Sequence, residues 1–148
     1  LETIVLPNPS VMNNLEVSIN KLTTLTLDNQ TSMTVCRVKE NLLTSIDTSG
    51  ATALTLLDCS DNQLITLDVS ANTALTSLSC ANNQLTSIDL GDTIDLAVLA
   101  DPLATNFDAT GNNSSLVIKV GSLARKAYAD LNFIVGTHID ATTTFSDQ

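Results

Sequence analysis

The chain contains almost no aromatic side chains: no Trp, one Tyr and three Phe among 148 residues, 3% in all. A core normally anchored by large rings must here be built from Leu, Ile, Val and Ala, and a 43% hydrophobic content supplies them. Like branched chains nest well on each other, which suits a stack of thin layers. Bases are also scarce, six Lys and Arg against sixteen Asp and Glu, for a net charge of -10 and a pI near 4.1. That charge repels phosphate backbones, and no basic or aromatic stripe offsets it, so nucleic acid is not an expected partner. No apolar run reaches the roughly 20 residues of a membrane span, so membrane insertion is not expected. The first residue is Leu1, and the lack of a leader sequence here leaves export open. There is one His, no CxxC pair, no phosphate loop and no Ser-His-Asp arrangement. No catalytic residue, metal or cofactor is therefore expected.

What is abundant is repetition. Leu54, Leu57, Cys59, Asn62, Leu64, Leu67 and Asp68 recur 21 residues later as Leu75, Leu78, Cys80, Asn83, Leu85, Ile88 and Asp89. With Leu54 as position 1, the same frame runs back through Met33, Cys36, Val38 and Asn41 to Met12, Leu15, Val17 and Asn20, and ends in a fragment holding Leu1, Ile4 and Leu6. Towards the C-terminus, residues 91–106 break the frame. Phe107, Ala109 and Asn112 then refill positions 4, 6 and 9, after a step from Leu78 to Phe107 of 29, eight more than the period. Positions 4 and 6 alternate with 3, 5 and 7, the period of a strand. A strand this short cannot bury its apolar side alone, but stacked copies can, as one parallel sheet with rungs roughly 4.8 Å apart. Asn20, Asn41, Asn62, Asn83 and Asn112 fall where each strand turns, and are expected to form a structural ladder that satisfies stranded backbone groups.

The pattern L-x-x-L-x-C/V-x-x-N-x-L-x-x-L resembles the leucine-rich repeat. With Cys at position 6 and "LDVSxNT" following, it is similar to the short 21-residue repeat of secreted or surface-attached bacterial proteins, the internalin group among them. The resemblance implies a right-handed solenoid, α/β by convention but β-dominated, that serves as a binding surface without catalysis. The whole chain, 1–148, is expected to be a single domain of this type: repeats over 1–120 with an irregular insertion at 91–106, then a cap over 121–148. The insertion is expected on the side away from the sheet, with a short helix over "DLAVLA" and a turn at Asp101-Pro102. In the tail, Leu123, Ala127, Tyr128 and Leu131 share one face of a short helix over 122–131, and a strand, turn and strand follow. The cap of such proteins carries a disulfide, and the corresponding places here hold Val117 and Gln148, so no such staple is expected.

Cys36, Cys59 and Cys80 read as unpaired, buried small hydrophobes. The lone His138 reads as a structural or exposed residue of the cap. Asp47, Asp68 and Asp89 recur at position 15, which admits either stacked calcium ligands or turns in which each carboxylate bonds locally. The turn is favoured, because no known calcium-loop pattern is present. Function is expected on the outward side of the sheet. There Val35 and Leu56 form an apolar centre with Glu16, Arg37, Lys39 and Asp58 around it, the layout of a protein-binding patch. The expectation is a non-catalytic protein-binding or adhesion module, monomeric and extracellular or at the cell surface, in an exported bacterial protein. A glycan-binding or targeting module attached to a secreted enzyme is the alternative, through Ser77, Ser79, Asn82 and Gln84.

Overall fold

The computed structural model describes residues 1–7, 11–91, 107–121 and 144–147. Within them the chain is a β-dominated solenoid of parallel strands, with no helix among the described residues. The first sheet stacks β1 (Asn14–Glu16), β3 (Val35–Arg37), β5 (Leu56–Asp58), β7 (Ser77–Ser79) and β9 (Phe107–Asp108) in parallel. The register is one repeat per rung, Leu15 beside Cys36, Cys36 beside Leu57, Leu57 beside Leu78 and Leu78 beside Phe107. These central residues all point inward and are buried, and Val38, Cys59, Cys80 and Ala109 at position 6 form a second buried row. Phe107, the largest fully buried side chain among the described residues, takes the inward place held by Leu15, Cys36, Leu57 and Leu78 in the other turns.

The structure departs from the single sheet expected from the sequence, because each turn carries a second strand. β2 (Thr24–Thr26) pairs with β4 (Ser45–Asp47), and β6 (Thr66–Asp68), β8 (Ser87–Asp89), β10 (Val117–Val120) and β11 (Thr144–Asp147) form a four-stranded sheet. The physical reason lies in residues 13 to 15 of the repeat. They read TLT, SID, TLD and SID, with one Leu or Ile turned inward between two polar residues. Such a triplet gains its burial only when copies stack, as on the first face. β10 continues the repeat, since Val117, Ile118 and Lys119 stand beside Ser87, Ile88 and Asp89.

The second face is interrupted between β4 and β6, which belong to different sheets. Position 16 explains it. Leu27 and Val69 donate their backbone N–H groups to Asp47 and Asp89 of the next turn, at 2.9 Å each. Thr48 occupies the same position in the intervening turn, and there its hydroxyl, not its N–H, approaches Asp68 O at 3.2 Å and Asn72 Oδ1 at 2.6 Å. Asn72, fully buried, closes the network by donating to Thr48 O and Ala51 O at 3.0 and 2.9 Å. Side-chain bonds thus stand in for the ladder at this one junction.

Candidate functional site on the first sheet face

The outward row at position 3 places Asn14, Val35, Leu56 and Ser77 side by side, and the row at position 5 places Glu16, Arg37, Asp58, Ser79 and Asp108 side by side. Val35 and Leu56 are therefore rung neighbours, but both are half-buried rather than fully exposed. Their flanks are held by polar contacts. Arg37 Nη1 lies 3.8 Å from Glu16 Oε2, and Ser18 donates to Glu16 Oε1 at 2.6 Å. Lys39 Nζ lies 3.4 Å from Glu40 and 3.7 Å from Asp61, and the hydrogen bond to Glu40 raises its pKa. Asn82 Nδ2 donates to Asp61 Oδ1 at 2.9 Å, extending the row by one turn. Asp58 and Asp108 each turn Oδ1 back on their own chain, to the N–H and hydroxyl of Ser60 and of Thr110. All six residues expected at the binding face thus share one surface, five of them on strands stitched rung to rung and Lys39 in the loop just after β3.

The loop that leaves this face has a feature the sequence hid. Position 8 adopts positive φ in every turn: Ile19 (58°), Glu40 (55°), Asp61 (54°), Asn82 (54°) and Gly111 (68°). Asp, Asn and Gly tolerate that conformation, but a β-branched Ile does so at a cost. The left-handed residue turns the chain sharply and delivers position 9 inward. There the five Asn do one job. Asn62 Nδ2 donates to Cys59 O and Ser60 O of its own turn and to Val38 O of the previous one, at 3.0–3.1 Å, while its Oδ1 accepts the Leu43 N–H at 2.9 Å. Asn41 and Asn83 repeat this and are buried. Asn20 and Asn112 make the corresponding bonds at the two ends and are half-buried.

The three thiols are buried and unpaired, stacked behind the face. Burial pushes Cys36 up to about 12, with Glu16 and Asp58 adding to it. Burial raises Cys59 and Cys80 as well, which keeps all three protonated as thiols at neutral pH.

On the second face, Asp47 Oδ1 accepts the Ser49 hydroxyl at 2.7 Å and N–H at 3.0 Å, which lowers the Asp47 pKa. Asp68 engages Ser70 in the same way, and Asp89 accepts the Gly91 N–H. A cleft of about 270 Å³ opens where β4 and β6 part, lined by Ile46, Asp47, Ser49, Asp68, Ser70 and Ala71. Among the described residues no three His, Cys, Asp or Glu side chains converge to hold a metal ion. Sequence reasoning missed the buried polar residues Gln30, Thr48 and Asn72. The 92–106 part of the insertion, the helix expected over 122–131 and His138 lie outside the described residues, as does Asn106.

A parallel-strand β-solenoid with an internal Asn ladder is thus the class that the fold defines. Comparison with known proteins narrows it no further, because no family model, no curated protein and no solved structure matches the chain.

Proposed function

We propose that the chain is a non-catalytic binding module of the leucine-rich-repeat type, right-handed and capped by residues 121–148, which docks a protein partner on its first sheet face. In this reading it belongs to an exported bacterial protein, acts outside the cell or at its surface, and is monomeric. The observation that carries it is the Val35–Leu56 pair on adjacent rungs, ringed by Glu16, Arg37, Lys39 and Asp58. Backbone bonds on both sides hold these rungs, so the side chains are presented with little ordering cost on association. An apolar centre inside a charged rim is the arrangement that concentrates binding energy in protein interfaces. Protein is preferred to glycan because the face positions carry no aromatic platform for a sugar ring.

The double change Val35→Ser with Leu56→Ser tests this. Both chains point away from the core, so the fold should survive. Partner capture from the host's surface fraction should weaken at least tenfold, about 1.4 kcal/mol. Equal recovery by wild type and the double variant would place binding elsewhere.

A further inference from the structure

We infer that the partner of the first sheet face presents a cationic segment with an apolar residue at its centre; this rests on the reading of that face as a docking surface. Among the described residues the face and its rim carry five carboxylates, Glu16, Glu40, Asp58, Asp61 and Asp108, against two cations, Arg37 and Lys39, a net of three negative charges (five minus two). Both cations are already committed. Arg37 sits against Glu16, and Lys39 sits between Glu40 and Asp61. Two of the three residual charges fall at Asp58 and Asp108, on β5 and β9, with the small Ser79 between them on β7, and the third is shared by Glu40 and Asp61 around the single Lys39. Each of these two carboxylates uses Oδ1 for its own Ser60 or Thr110 and so has its second oxygen for an incoming donor. Two rung spacings separate them, roughly 10 Å, and Lys or Arg side chains on one segment can bridge that span. An acidic partner would instead meet like charge at both points, which costs association rate and affinity. The apolar half of the same face, Val35 and Leu56, is what turns electrostatic attraction into a seated complex.

The probe is a fluorescent heptapeptide alternating Lys and Val, with its counterpart alternating Glu and Val, followed by anisotropy in low salt. The Lys-Val peptide should bind and the Glu-Val peptide should not. Asp58→Asn with Asp108→Asn should lower Lys-Val affinity at least fivefold, since Asn still accepts the Ser60 and Thr110 bonds and the fold is kept. Asp47→Asn with Asp68→Asn removes the same two charges from the second face and should change affinity less than twofold. Equal losses in the two double variants would reveal diffuse attraction to a chain of charge -10 and overturn the inference. So would binding of both peptides alike. A natural partner whose capture fails with Val35→Ser and Leu56→Ser but persists with Asp58→Asn and Asp108→Asn would overturn the charge inference alone and leave the docking face standing.

Discussion

Asn62→Ala is the substitution that most directly tests what holds the turns together. Its cost follows from which partners are left with nothing. Asn62 contacts four backbone groups, but three of them have a second donor. Val38 O also accepts from Asn41 at 3.0 Å, Cys59 O also accepts from Asn83 at 3.1 Å, and Ser60 O also accepts the Glu40 N–H at 3.1 Å. The Leu43 N–H has Asn62 Oδ1 as its acceptor, in a place where Leu43 itself is fully buried. The ladder is therefore redundant for acceptors and not for donors. One orphaned buried N–H costs about 1–3 kcal/mol, and the three weakened carbonyls add fractions to that. Asn62→Asp should be worse at neutral pH, because a carboxylate still accepts from Leu43 but faces three carbonyl oxygens with no donor. That Asp would have a raised pKa, so the variant should regain stability as pH falls and the carboxyl becomes able to donate once. Urea melts of Asn62→Ala, Asn62→Asp and the surface control Ser77→Ala, at pH 7 and pH 5, provide the test. A midpoint for Asn62→Ala equal to that of Ser77→Ala, or an Asn62→Asp variant that is the more stable of the two ladder variants at pH 7, would refute the reasoning.

Two further predictions concern the core and the loop. The thiols of Cys36, Cys59 and Cys80 are all raised in the folded state, so their contribution is intact below the unfolded thiol pKa near ~8.5 and is lost as pH climbs above it. The slope is up to about 1.4 kcal/mol per pH unit for each thiol. Melts at pH 8 and pH 10 should show a steeper loss in wild type than in Cys59→Ala with Cys80→Ala, and parallel losses would contradict it. Ile19, 75% exposed at φ 58°, carries backbone strain without compensating burial, so Ile19→Asn should stabilise the chain by about 1 kcal/mol in the same melts, and destabilisation would show that the left-handed turn is not strained.

The parts of the architecture that were legible in the sequence are those that recur. Leu and Cys at positions 4 and 6, Asn at position 9 and the 21-residue step identify stacked rungs because each turn must repeat the same solution to fit on its neighbour. The sequence alone places the Val35–Leu56 pair on one surface, since strand alternation and repeat register together determine which side a residue faces. Position 8 was less readable. Asp61, Asn82 and Gly111 hint at a left-handed residue, but Ile19 and Glu40 occupy the same place and mask the signal. The second sheet was present as Leu or Ile between polar residues at positions 13 to 15, but a triplet with one inward side chain reads equally as a turn.

The sequence by itself determined the repeat, its register and the Asn ladder, because those follow from residues that must satisfy identical local needs in every turn. Only the tertiary structure decided what happens once. Thr48 and Asn72 meet across a turn, 24 residues apart, and take over a junction where β4 and β6 separate. Both stand at repeat positions, 16 and 19, but the residue type there changes from turn to turn, Leu27, Thr48 and Val69 in one row and Gln30, Ala51 and Asn72 in the other, so no pattern announces the pairing. It exists because stacking brings a hydroxyl and an amide into a buried space where each needs the other. The same holds for the charge of the first face. Arg37 and Lys39 could have answered any of several acids, and folding chose Glu16, Glu40 and Asp61, which leaves Asp58 and Asp108 without an ion pair among the described residues. Composition sets how many charges a chain carries, but only the folded geometry sets which of them are already spoken for.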